Sequence, residues 1–271
     1  MSTSALPGLV LRLRPLGESD LMLDLFTNAM GRITALAKGG KRSKQRFFGV
    51  LLDAHLLEMN LEPTKSPDLW RLASARVLAS HLGLRQDYRR LLAAGPVLEL
   101  LLRATPVQAS QEGVLELALI TLSRMEHGNG PAELASALAI FLARLLDLLG
   151  YGLNLESCLH CGRPLEQMQS LRLTLGGGVV CPSCPAGHRD HQVPPGLVKF
   201  LAAARALEPR PLSRLRLPAG QSPLALGFLA DFWREVVGHD LPSLGLALRS
   251  LKTPSSAPPV DPRQTLNPHS H

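Results

Sequence analysis

Four cysteines, the only ones in the chain, stand as two Cys-x-x-Cys pairs, Cys158/Cys161 and Cys181/Cys184. A two-residue spacer lets both sulfurs of a pair converge on one ion, and two pairs supply the four thiolates of a tetrahedral zinc site. Gly162 follows the first pair, and Gly176-Gly177-Gly178 can turn a hairpin back toward the second. Four protein ligands leave no open position for substrate, so the expected chemistry is structural: one zinc ion that folds a small module. Two redox motifs or a disulfide pair are the competing readings. Neither a thioredoxin-like context nor a secretory signal accompanies them. His160, His188 and His191 border the cysteines, but the four sulfurs already complete the coordination, so the histidines are expected beside the metal or at the surface.

Cations form the second constellation. Arg32, Lys38, Lys41, Arg42, Lys44 and Arg46 fall within residues 32 to 46 with no acid among them. Gly39-Gly40 lets that loop follow a phosphate backbone, and Phe47 and Phe48 come directly after it. A cationic groove beside aromatic faces holds single strands without reading sequence. Of two adjacent strand residues one should point into a core, so only one of the phenylalanines is free to stack; a merely solvated loop is the plainer alternative. A second cluster, Lys199, Arg205, Arg210, Arg214 and Arg216, contains one acid, Glu208, and Arg163 and Arg172 lie among the cysteines. These extend a phosphate track, bind an acidic protein segment, or solvate helix faces. The whole chain carries 29 Lys and Arg against 22 Asp and Glu, a net +7 that favours polyanionic partners over a generic basic surface.

The elements that must position these groups change character along the chain. Leu9 to Leu16, Leu21 to Thr27 and Arg32 to Ala37 alternate as strands, with turns at Gly17-Glu18-Ser19-Asp20 and Asn28 to Gly31. Phe47 to Leu61 is long enough for a bent fourth strand, and Leu69 to Val77 closes a five-stranded barrel of the OB type over residues 1–79. Helical spacing follows at Asp87 to Ala93, Val97 to Arg103, Glu112 to Glu126 and Ala132 to Leu149, with Pro96, Pro106 and Pro131 near boundaries and Gly150 as a C-cap. It resumes at Pro195 to Leu207, Pro223 to Val237 and Ser243 to Leu251. The expected organisation is therefore α+β and multidomain: a helical domain over 80–155 and 192–252, a cysteine module inserted at 156–191, and a Pro- and Ser-rich tail at 253–271 expected to be disordered.

No apolar run reaches the length of a bilayer span, and Met1 to Pro7 lacks a charged region leading into an apolar one, so cytoplasmic residence without a membrane partner is expected. Gly176-Gly177-Gly178 lacks the Lys-Ser/Thr of a triphosphate loop, and neither His-Glu-x-x-His nor Gly-x-Ser-x-Gly occurs. Asp20, Asp24, Asp53 and Glu58 are scattered where solubility accounts for them, not clustered for magnesium. The chain reads as a binding protein, not an enzyme. A zinc-containing nucleic-acid-modifying enzyme such as a nuclease, and a zinc-ribbon scaffold for proteins alone, are the rivals.

Gly17-Glu18-Ser19-Asp20, Leu25-Phe26-Thr27, Gly31 and Ala37-Lys38-Gly39, then Gly150-Tyr151-Gly152-Leu153-Asn154 before Cys158, then Leu248-Arg249-Ser250, resemble in this order the signatures of the RecO family of bacterial recombination mediators. The resemblance spans nearly the whole chain outside the tail. It implies an N-terminal OB-fold, a helical bundle and a zinc-stabilised module. It also implies a non-enzymatic role in DNA repair and recombination, at the nucleoid. Such proteins bind single- and double-stranded DNA, anneal complementary strands, and with RecR help load RecA onto DNA coated by single-strand-binding protein. For this chain the implied DNA contacts are Lys38, Lys41, Arg42, Lys44 and Arg46 with Arg32 as a neighbour, and Lys199 and Arg205 are assigned to a protein partner. Some members lack the metal cysteines, so zinc rests on the four present here.

Overall fold

The computed structural model describes residues 5–43, 46–165, 168–206, 212 and 214–252. Lys44, Arg210 and the tail from Thr253 lie outside the described residues.

Strands β1 (Leu6–Leu16), β2 (Asp20–Thr27), β3 (Gly31–Ala37), β4 (Leu56–Pro63) and β5 (Leu69–Ala79) close into a barrel of order β1-β2-β3-β5-β4, the arrangement of an OB-fold. β1 serves two neighbours. Its first residues pair with β4, the remainder with β2, and a register shift between Val10 and Arg12 lets the strand bend from one to the other. Alternation decides what fills the barrel: Val10, Leu23, Leu25, Ile33, Ala35, Leu57, Met59, Leu61 and Leu72 are buried together inside. Outward-facing Leu9, Leu11 and Phe26 instead join the core of the helices, which fastens the barrel to them.

The expected fourth strand from Phe47 is corrected, because ladder structure begins only at Leu56. Phe47–Val50 and Leu52–His55 are turns closed by backbone hydrogen bonds of 3.2 Å each, with Gly49 at φ +68° and Ala54 at φ +66°, a handedness no extended strand tolerates. The segment's apolar residues still insert into the barrel end, Phe47 and Leu51 being buried there.

After a 3₁₀ turn at Leu82–Gln86 come α1 (Tyr88–Ala104), α2 (Val114–His127) and α3 (Pro131–Leu148). Pro96 does not divide the first helical stretch: α1 is continuous through it, started by Asp87, whose carboxylate accepts from the N–H groups of Arg89 and Arg90. Proline there forgoes one backbone bond. Burial of Ala93, Ala94, Pro96 and Val97 against the neighbouring helices holds the turn together regardless. α3 is the central helix, buried at every position from Leu134 to Ala143. It ends in a Schellman motif, with Gly150 at φ +85° donating to Asp147 O (3.1 Å) and Tyr151 N–H to Leu146 O (2.8 Å).

A small sheet follows, β6 (Asn154–Cys158), β7 (Leu171–Thr174), β8 (Gly178–Val180) and β9 (His191–Val193), in the order β6-β8-β7-β9. Gly177 at φ +93° makes the expected hairpin turn between β7 and β8. α4 (Pro195–Ala206), α5 (Ser222–Val237) and α6 (Pro242–Lys252) then return to the earlier helices. Trp233 of α5, fully buried, donates its indole N–H to Leu142 O of α3 at 3.1 Å. Glu99 of α1 accepts the Ser243 N–H at the start of α6 at 3.0 Å. Among the described residues no helix is long and apolar enough to cross a membrane.

Candidate metal centre and nucleic-acid interface

β6 delivers Cys158 at its last residue, and the tight turn after it brings Cys161 alongside, the Gly162 N–H bonding back to Cys158 O at 2.9 Å. β8 delivers Cys181 one residue past its end, and a second turn, Cys184 N–H to Cys181 O at 3.2 Å, brings in Cys184. Because β6 and β8 are adjacent and parallel, both turns open at the same end of the sheet. The four sulfurs lie within 4.8 Å of one another, with Cys158 to Cys184 and Cys161 to Cys181 each at 3.8 Å. Four sulfurs about 2.3 Å from a tetrahedral ion stand about 3.8 Å apart, so the cage has the size a metal ion needs.

Charge agrees with size. Burial opposes ionisation of the Cys158 thiol, yet backbone N–H groups of Cys181, Cys161 and His160 outweigh it and hold the thiol down to about 6. The neighbouring Cys181 side chain, with burial added, pushes Cys184 up to about 12. The Cys181 thiol is lowered too, so the cage favours thiolates at Cys158 and Cys181, and a bound cation would displace the proton of Cys184. None of the three bordering histidines belongs to the four-sulfur group. His160 and His188 are exposed, while His191 reaches Asp231 through Nε2 at 3.3 Å and sets its ring edge-on to Phe228.

For Arg172 the sequence left open a phosphate track, an acidic protein segment or a solvated face, and its position answers to none of the three. Its Nη2 donates to the carbonyls of Cys181 (2.8 Å) and Cys184 (2.5 Å), so it belongs to the metal turn. Arg205 is likewise committed inside the fold. It pairs with Asp147 at 2.7 Å and donates to Leu153 O, tying α4 to the end of α3 and the loop before β6. That corrects the expectation of Arg205 as a charge held out to a partner. Lys199 is exposed beside an apolar groove of about 350 Å³ lined by Leu155, Leu165, Leu171 and Val198.

The cationic loop leaves the barrel at the end of β3. Lys38, Lys41, Arg42 and Arg46 are exposed there, and Phe48 is 77% exposed while Phe47 is buried, the one-in, one-out division expected of the pair. The guanidinium of Arg46 lies 4.5 Å over the Phe47 ring and donates to Lys38 O at 2.5 Å. Arg32 is not part of this group. It sits at the opposite end of the seven-residue β3, about 20 Å away, donating to Thr105 O at 3.4 Å where the barrel meets α1.

Two acids missed by reading along the chain join the loop in space. Glu18 reaches Arg42 at 3.4 Å, and Asp20 accepts the Gly39 N–H at 2.8 Å, a bond that holds its carboxyl below the ordinary range. Lys41 donates to Gly17 O at 2.6 Å. The β1–β2 turn therefore braces the loop. Asp24 also differs from expectation: its side chain is buried on the barrel wall, where Arg12 (2.9 Å), Arg14 (3.0 Å) and Thr34 (3.2 Å) converge on it. An acid flanked by alternating arginines on the paired strand was the signal available for that triad.

Comparison with known proteins completes the picture. The family model described as "Recombination protein O N terminal" matches residues 1–81, and "Recombination protein O C terminal" matches residues 85–245. Curated relatives named DNA repair protein RecO include one from Frankia casuarinae, 33% identical over 199 residues (72% of this chain and 78% of that one). Another, from Syntrophobacter fumaroxidans, is 28% identical over 255 residues, covering 93% of this chain and all of its own. A third, from Koribacter versatilis, is 33% identical over 173 residues (64% and 69%). With both halves of the family matched in sequence, and an OB barrel followed by helices and a four-cysteine cage in space, the chain belongs to the RecO family.

Proposed function

We propose that this protein is a DNA-binding mediator of recombinational DNA repair, which anneals complementary strands without catalysing a covalent step. The carrying observation is the loop that leaves the OB barrel after β3, where Lys38, Lys41, Arg42, Arg46 and the aromatic ring of Phe48 are all exposed. Cations there neutralise phosphates, and an exposed aromatic face accepts any base. Two DNA strands repel each other. A protein that screens that repulsion while leaving base edges free lets pairing itself supply the driving force, so no nucleotide hydrolysis is needed. The protein binds single- and double-stranded DNA in this reading and works in the cytoplasm, at the nucleoid. It acts with RecR to load RecA onto strands covered by single-strand-binding protein. Exposed Lys199, above its apolar groove, fits the acidic tail of that coating protein.

The ion proposed for the cage is zinc, held by Cys158, Cys161, Cys181 and Cys184. Four-sulfur tetrahedral coordination suits zinc, which has no redox chemistry of its own and here folds the sheet between α3 and α4. The deciding experiment follows annealing of labelled complementary oligonucleotides, bare and coated with single-strand-binding protein. Faster duplex formation at low ionic strength is expected in both arms. Rates equal to buffer would defeat the proposal, and strand cleavage in the presence of divalent metals would favour a nuclease.

A further inference from the structure

We propose that Arg172 is the positioning residue and built-in counter-charge of the four-cysteine centre; this rests on reading that cage as a metal site. β7 pairs Arg172 with Val180 of β8 and with Gln192 of β9, which brings its side chain beside Cys181. There one guanidinium nitrogen, Nη2, donates to three carbonyls of the second cysteine turn, those of Cys181 (2.8 Å), Cys184 (2.5 Å) and Pro185 (3.4 Å). Fixing these carbonyls fixes the backbone from which two of the four sulfurs hang. The turn is thus presented in its binding conformation before an ion arrives.

Arg172 is also a charge in want of compensation. Its side chain is only 18% exposed, and Nε is buried with no hydrogen-bond partner. Among the described residues its one ion-pair neighbour, Asp190, stands at 3.9 Å from Nε, and the same Asp190 oxygen already accepts the Gly187 N–H at 2.8 Å. Carbonyl dipoles satisfy donors but do not neutralise a permanent cation, and a buried charge without a close partner is costly. A divalent ion in four thiolates carries a formal charge of two minus, on the other side of the very turn that Arg172 grips. The cation stabilises the loaded centre, and the loaded centre repays the burial of the cation. Sequence alone does not separate this arginine from the exposed Arg163 in the same module.

The test uses the full chain loaded with cobalt(II), whose absorption reports tetrahedral thiolate ligation, in competition with a chromophoric chelator. Groups that orient metal ligands cost roughly 10- to 100-fold in affinity when removed. Arg172→Gln is therefore expected to weaken cobalt and zinc by at least about tenfold, with far-UV circular dichroism and DNA binding retained. Arg172→Lys keeps the charge but loses the fork, and should fall between Arg172→Gln and the unaltered chain. It also decides the matter if Arg172→Gln does not fold. A folded Arg172→Gln within twofold of the unaltered chain, or, where Arg172→Gln does not fold, an Arg172→Lys within twofold, overturns the proposal while leaving the metal site standing. An unaltered chain that takes up no cobalt defeats the metal reading and the role of Arg172 together.

Discussion

The sharpest consequence of the proposed interface concerns salt. Lys38, Arg42 and Arg46 are exposed at the end of the barrel and lie outside its core, so replacing all three with alanine leaves the barrel in place, though it removes the Arg46 contacts with the Phe47 ring and Lys38 O. Lys41 stays, because its ammonium secures the Gly17 carbonyl of the bracing turn. If each of the three neutralises one phosphate, the slope of log binding constant against log salt on single strands flattens by about 2, at about 0.7 per phosphate. Between about 50 and 200 mM salt the variant then loses affinity about 20-fold less steeply than the unaltered chain. Fluorescence anisotropy on mixed-sequence oligonucleotides across that range measures it directly. Glu18→Gln provides the control of opposite sign: it frees Arg42 from its carboxylate partner. The pair is highly exposed and worth little in water, so the gain in affinity should not exceed about fivefold. A triple variant whose slope matches the unaltered chain would remove this loop from the DNA path and with it the argument for the barrel end.

Three further outcomes are expected. Cys158→Ser removes the ligand with the most readily formed thiolate, so elemental analysis should find zinc lost and thermal denaturation should find the sheet of residues 154–193 destabilised; structural zinc in small units is worth on the order of 10 kcal/mol. Gly31→Ala should lower the melting temperature markedly, since φ is +60° and an added Cβ would lie 2.0 Å from Ala109 O, where the barrel meets the segment after α1. Glu126 should contribute to acid lability. Burial opposes its charge, but the Gly83 N–H (2.7 Å) and His81 (3.0 Å) outweigh it and set the folded-state value below the ordinary 4.5. A depressed carboxyl stabilises the fold above its unfolded value and ceases to do so as pH falls from 4.5 through the folded value. The pH dependence of unfolding in that acid range should therefore shrink in Glu126→Gln, and an unchanged acid profile would refute the clamp.

The chain by itself determined what depends on neighbours a few residues apart. Two-residue spacers bring sulfurs together whatever surrounds them, so the metal cage was legible from Cys158, Cys161, Cys181 and Cys184 alone. Alternation marked β1 to β3, because one face of each strand must fill a barrel while the other does not. Three- and four-residue spacing marked α2 to α6 in the same way. What depends on distant partners was decided only by the tertiary structure. Pro96 looked like a boundary, yet burial against other helices carries α1 through it. Phe47 to His55 had a strand's composition, but filling the barrel end required turns of positive φ. The fates of the charges were least visible of all. Arg32, Arg172 and Arg205 carry the same side chain as Arg42. The first three are drawn to carbonyls or to Asp147, whereas Arg42 remains in water facing Glu18 across the β1–β2 turn. A guanidinium's role is set by which acceptors the fold places within about 3 Å of it, and those acceptors lie from 9 residues away along the chain, for Arg172, to 73, for Arg32.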